Sequence, residues 1–266
     1  MSAPEQRGDC LEFATRGAAL VALAESSVES AAAHPLLLDA MRWINESEAM
    51  HQVNMQDGTG GGLLEHLRLA WHWATTGAEF GSAYRASRGT PGSSTELGQM
   101  VDAEMTALIV GSKLVQPAHA YTVRLLEFLQ QRNWVPLATQ VPLWHRSNTI
   151  YTFVDLMAYD VVGKRLLLLE LKTGFDHGYD TPIRNSDIST DDVFVDSLHT
   201  RHQQQLCWMH VVLEHELKSS SGGKLASCIL RVSEQAGVRE PDWSNSELLA
   251  FFKYTYIETD AAYTQA

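Results

Sequence analysis

Residues 165–174 read Arg-Leu-Leu-Leu-Leu-Glu-Leu-Lys-Thr-Gly. Four leucines run directly into Glu170 and Lys172. An apolar run this short, bounded by turn residues, marks a buried strand. Alternation along that strand places Leu166, Leu168, Glu170 and Lys172 on one face. A carboxylate and an ammonium at the end of a core strand are costly to desolvate unless they pair or serve a task. Just upstream, Ile150-Tyr-Thr-Phe-Val-Asp-Leu-Met-Ala-Tyr159 has the β-branched and aromatic content of a second strand. Asp160-Val-Val-Gly-Lys164 joins the two as a hairpin, with Gly163 supplying the turn.

A turn centred between Val162 and Gly163 sets Asp155 directly opposite Glu170. Opposed side chains on one face have Cβ atoms roughly 5 Å apart. Two carboxylates that close repel unless a cation sits between them. An all-oxygen ligand set suits Mg²⁺ or Mn²⁺, not zinc. The backbone carbonyl of Leu171 is a natural further ligand, and Lys172 lies one side-chain step along. A surface ion pair on a half-exposed hairpin is the plainer reading of these residues; the leucine run points instead to a site inside the fold.

In order, the chain carries Val154-Asp155, then Glu170-Leu171-Lys172, then His202-Gln-Gln-Gln-Leu-Cys-Trp-Met-His210, with Gly98-Gln-Met-Val-Asp102 upstream. This set resembles the PD-(D/E)XK nuclease superfamily, in its RecB-like, λ-exonuclease-like branch. Val154 stands where the family name has proline. Gln205 matches the helix glutamine, with Met209 where the branch has an aromatic residue. Asp102 takes the upstream acidic position, and Glu104 is a rival two residues on. The resemblance covers roughly residues 98–232. It implies a restriction-endonuclease-like mixed β-sheet core flanked by helices, in the order αβββαβ. It implies a nuclease that hydrolyses nucleic-acid phosphodiester bonds with Mg²⁺ (or Mn²⁺), acting on DNA from an end. Asp155, Glu170, Lys172 and Gln205 would be catalytic, and Asp155, Glu170, Asp102 and the Leu171 carbonyl would hold the metal. Lys172 would act either as a base with depressed pKa or as a charge that orients hydroxide and offsets charge on the phosphate. The alternative is a non-catalytic nucleic-acid- or protein-binding module on the same fold.

The chain has 266 residues, 45% hydrophobic and 20% charged, as a soluble globular protein does. No apolar run is long enough to span a bilayer, so no membrane partner is expected. The amino terminus lacks a basic segment followed by an apolar core, which points to an intracellular protein. Cys10, Cys207 and Cys228 lie too far apart for a disulfide framework or zinc knuckle. His51, His66, His72, His119 and His145 fall on different elements and form no zinc set. The net charge of −12 fits a nucleic-acid enzyme least well. Arg85, Arg88, Lys113, Arg124, Arg132, Arg146, Arg184 and Arg201 are candidates for a local basic channel, though scattered cations are usually solvated surface charges.

Helices are expected at 10–32, 34–46, 63–76, 96–112, 117–132 and 198–218. Strands are expected at 137–145, 150–160, 165–173 and 225–233, with a final strand or helix–strand pair at 246–258. Residues 54–62 and 77–95 read as loops. Two regions follow, an amino-terminal helical region and arm over 1–95 and the sheet core over 96–266. On the arm, Tyr84, Arg85 and Arg88 are candidates to stack on and grip a single strand. His202, one helical turn before Gln205, is placed to touch a phosphate. His177 and Tyr179 stand at the mouth of the site as substrate contacts.

Overall fold

The computed structural model describes residues 35–56, 61–63, 67, 94–112, 114, 116, 118–145, 150–173, 179–180, 197–217, 224–233 and 237–263. Helix α1 spans Pro35–Gln56, α2 Ser94–Ile109, α3 Ala120–Gln131, α4 Leu198–Glu216 and α5 Ser246–Tyr263. The long strands are β2 (Trp134–Trp144), β3 (Ile150–Asp160), β4 (Arg165–Thr173) and β5 (Leu225–Ser233). Three two-residue pieces complete the sheet: β1 (Gly61–Gly62), β6 (Gly237–Val238) and β7 (Asp242–Trp243).

The sheet is mixed. β2 and β4 flank β3 in antiparallel pairs, and β5 lies parallel to β4. A parallel neighbour needs a crossover, and α4 supplies it. On one face, Leu37, Ala40 and Ile44 of α1, Leu206, Met209 and Leu213 of α4, and Leu248 and Phe252 of α5 pack on Met157, Leu166, Leu168 and Ile229. On the other, Val101 and Met105 of α2 and Leu125, Leu126 and Leu129 of α3 pack on Leu156, Ala158, Leu167, Leu169 and Leu230. The protein is therefore a mixed sheet covered by helices on both faces, and this is why Leu166 to Leu169 are all buried. Burying each such leucine contributes about 1.5–3 kcal/mol.

The β3–β4 hairpin has the register its turn dictates, pairing Asp160 with Arg165 and Leu156 with Leu169. Asp160 holds the turn by accepting from the Val162 and Gly163 amides and from Arg165 Nε, at 3.1, 2.8 and 3.0 Å. Gly163 is required for space: a Cβ there would stand 2.5 Å from Asp160 Oδ2. The left-handed residue of the turn is Lys164, with φ 50°.

Several boundaries differ from the sequence reading. α1 runs on to Gln56, and Gly61–Gly62 pair with Ile150–Tyr151 within the expected 54–62 loop. β2 begins at Trp134 and carries Pro136 inside it, at a bulge between Pro136 and Ala138, where a sheet tolerates proline. α3 starts at Ala120, capped by His119, later than the expected start at 117. The end of the chain forms helix α5, begun by the Asn245 side chain, which accepts from the Glu247 and Leu248 amides.

Candidate active site

β3 pairs with β4 only from Asp160 to Leu156, and with β1 at Ile150 and Tyr151. Residues 152–155 between them have no strand on that edge among the described residues. Asp155 lies at the point where the two strands part. Its Oδ2 accepts the Leu171 N–H at 2.8 Å, and its Oδ1 faces Gln140 Nε2 at 3.3 Å. The expected pairing of Asp155 with Glu170 thus stops one residue short, and a side-chain bond crosses the fork instead.

The backbone opposite Asp155 is unusual. Gln140, flanked by the Thr139–Leu156 and Val141–Val154 pairs, has φ 50°. That left-handed residue interrupts the alternation. Val154 and Met157 fall in the same core cluster while Leu156 falls in the other; a regular strand would send Val154 with Leu156. Face assignments from strict alternation therefore fail here, as they do at the Pro136–Ala138 bulge.

Glu170 is 1% exposed, and its Oε1 accepts from Lys172 Nζ at 2.5 Å. Its other oxygen, Oε2, is buried without a hydrogen-bond partner among the described residues. Burial pushes the Glu170 carboxyl up, and the negative charge of Asp155 adds to this against the pull of Lys172. Burial works to lower Lys172, but the charges of Glu170 and Asp155 outweigh it and hold the ammonium above the ordinary lysine value.

Asp102 stands one turn along α2 from Gly98, where a Cβ would come within 3.2 Å of Thr173 Oγ1. The missing side chain lets α2 approach the end of β4. Asp102 is pushed up to about 7, chiefly by burial and then by the charge of Asp155, with Lys172 opposing. Its rival, Glu104, is committed elsewhere. It accepts from the His119 amide at 2.9 Å and from Thr122 Oγ1 at 2.5 Å, tying α2 to the start of α3. Asp102 is thus the upstream acid that shares the field of Asp155, Glu170 and Lys172. Among the described residues, no three histidine, cysteine or acidic side chains close into a ready metal-binding group. Lys172 and the Leu171 amide each hold one of the carboxylate oxygens in their place.

Beyond Lys172, Tyr179 is buried, and its hydroxyl lies 2.8 Å from His202 Nδ1. Burial, reinforced by Lys172, holds His202 well below the usual histidine value, so its ring is neutral. His202, expected as a phosphate contact, is thus a buried ring bonded to Tyr179. Arg231 of β5 pairs in register with Lys172, and its guanidinium lies over the Tyr179 ring at 4.8 Å. His199 Nε2 bonds Asp242 Oδ2 at 2.6 Å, and its Nδ1 lies 3.3 Å from Asp180.

On α4, residues Gln203 to Leu213 are all buried, so all three glutamines lie inside the fold. Gln203 is structural: it donates to the Trp243 carbonyl at 3.2 Å and accepts from the Asn245 amide at 3.1 Å. Gln205 is buried and forms no hydrogen bond with Lys172 or Glu170 among the described residues. Arg124 donates to the Ser233 carbonyl, and Arg132 lies over Phe128 and Trp134 and pairs with Glu240, so both have partners within the fold. Tyr84, Arg85, Arg88, Lys113, Arg146, His177 and Arg184 lie outside the described residues. The sequence reading missed Arg231, His199 and Asp242. For Arg231 a signal existed, a lone cation inside the apolar run Cys228-Ile-Leu-Arg-Val232.

The chain matches no model of a known protein family, and no curated protein matches it.

Proposed function

We propose that this protein is a divalent-metal-dependent nuclease on a restriction-endonuclease-like core of the RecB-like type, hydrolysing DNA phosphodiester bonds from an end. The observation that carries this reading is the acid cluster at the β3–β4 fork, in which the buried Glu170 Oε2 has no partner among the described residues. The charge of Asp155 adds to burial in raising the cost of ionising Asp102 and Glu170, with Lys172 as the opposing charge. Such a site favours a cation, and its all-oxygen donors fit Mg²⁺ or Mn²⁺. Asp155, Glu170, Asp102 and the Leu171 carbonyl are the groups that would hold it. A bound divalent ion would lower the pKa of water and offset charge on the phosphate.

The remaining chemistry falls to the chain itself. Lys172, fixed by Glu170, orients the attacking water and offsets charge on the non-bridging phosphate oxygens. Attack in line with the leaving oxygen forms a new P–O bond as the old one breaks. Gln205, buried on the neighbouring helix, would orient the attacking water. The element order α2–α3, β2–β3–β4, α4, β5, with two helices ahead of the three strands, supports this reading.

Incubation with linear and with circular DNA, in Mg²⁺ or Mn²⁺ and in EDTA, tests the reading. Metal-dependent loss of the linear substrate alone is expected. Loss of neither would remove the enzymatic reading and leave the binding-module alternative.

A further inference from the structure

The sheet places Arg231 beside Lys172 on adjacent parallel strands, with Ile229 beside Glu170 one step below. Ile229 belongs to the α4-side core, so Arg231 emerges on that same face, next to the candidate site. Among the described residues Arg231 forms no ion pair with a carboxylate. The acids nearest its field are already engaged: Asp242 bonds His199 at 2.6 Å, and Asp180 lies 3.3 Å from the same ring. Instead the guanidinium lies over the ring of the buried Tyr179, 4.8 Å from its centre, and the Tyr179 hydroxyl is bonded to His202. A contact of this kind holds a guanidinium without using up its N–H donors. In a chain of net charge −12, an arginine held by an aromatic ring and paired with no carboxylate among the described residues has a place for an external anion.

We infer that Arg231, positioned by Tyr179, is a phosphate-binding residue that takes a backbone phosphate neighbouring the scissile one, next to Lys172. This rests on the nuclease reading for the identity of the anion and adds to it a second cationic contact, on β5. Guanidinium–phosphate pairing is bidentate and charge-assisted, which fixes the strand's orientation as well as its affinity.

The test is equilibrium binding of a fluorescein-labelled single-stranded oligonucleotide in EDTA, by anisotropy, across a series of salt concentrations. Arg231→Gln is expected to bind about 5- to 20-fold more weakly, with the log–log salt slope reduced by about 0.7, the loss of one phosphate contact. Tyr179→Leu shows part of the same loss. The exposed Arg42→Gln on α1 is the control and binds as wild type. Should Arg231→Gln fail to fold, Arg231→Lys keeps the charge, loses the fork, and shows weaker binding with the slope retained. Wild-type affinity and slope in these Arg231 variants would overturn the inference, as would wild type that does not bind. The failure of the nuclease reading is separately visible: Arg231-dependent binding without Mg²⁺-dependent cleavage removes that reading and keeps the phosphate contact. Cleavage with an unchanged KM in Arg231→Gln removes the contact and keeps the nuclease.

Discussion

Asp155 and Leu171 are joined across the mouth of the β3–β4 hairpin, where the Leu171 N–H donates to Asp155 Oδ2 at 2.8 Å. The bond reaches the backbone between Glu170 and Lys172, so one carboxylate both closes the fork and fixes the strand that carries the other site residues. A hydrogen bond to a charged acceptor contributes about 1.5–3 kcal/mol. Asp155→Ala is expected to lose stability of that order in chemical denaturation. Asp155→Asn, which keeps an acceptor and relieves the repulsion on Glu170, should lose less. Equal losses would show that the bond does not hold the fork.

Asp102 leaves a pH signature. Its folded pKa, about 7, is raised above the ordinary 3.8. Its contribution to stability is therefore fully present below about 3.8 and is lost as pH rises through about 7. Without metal, Asp102→Asn should melt above wild type at pH 8, by a margin that shrinks toward pH 5. A margin independent of pH would contradict the raised carboxyl.

The Glu170–Lys172 pair is buried, with the two side chains 1% and 17% exposed. Removing one partner of a buried pair costs about 3–5 kcal/mol, because the other charge is left uncompensated. Lys172→Met should approach this loss at pH 8. The loss should be smaller at pH 5, where Glu170, already pushed up, accepts a proton. The double variant Glu170→Gln/Lys172→Met should recover much of it. Losses that simply add would show that the pair is not coupled.

How much of this was legible in the sequence depended on range. The β3–β4 register followed from a single turn, since Asp160, Val162 and Gly163 are neighbours whose chemistry is local. Strands β3, β4 and β5 were legible because β-branched and leucine runs end at turn residues. What escaped were devices made by residues distant in the chain. His199 meets Asp242, and Arg231 meets Tyr179, only after α4 has crossed the sheet. Gln140 escaped for another reason: a left-handed non-glycine residue in a strand has no compositional signal. The burial of all of Gln203, Gln204 and Gln205 likewise comes from packing, because α4 lies between the sheet and other helices and has no solvent face along that stretch.

The His199–Asp242 bond predicts a second pH dependence. The hydrogen bond to Asp242 raises His199 above its ordinary 6.5, so its contribution is present below 6.5 and is lost as pH rises through the folded value. For Asp242, burial acts upward but the His199 bond outweighs it, so its contribution is present above 3.8 and is lost as pH falls through the folded value. Thermal melts of His199→Gln should therefore lie below wild type between these limits and converge with it at high pH. A constant gap up to pH 9 would show that the bond carries no charge.

The central claim is that the acids at the β3–β4 fork serve metal-dependent phosphodiester cleavage. The most direct measurement is the rate of nucleotide release from end-labelled linear duplex DNA by wild type and Asp155→Asn, prepared alike and shown to be folded, in Mg²⁺. The account predicts release by wild type that EDTA abolishes, and a rate at least about 100-fold lower in the variant, as for loss of a principal charge-stabilising group. Equal rates in the two proteins, or no release by either, would contradict it.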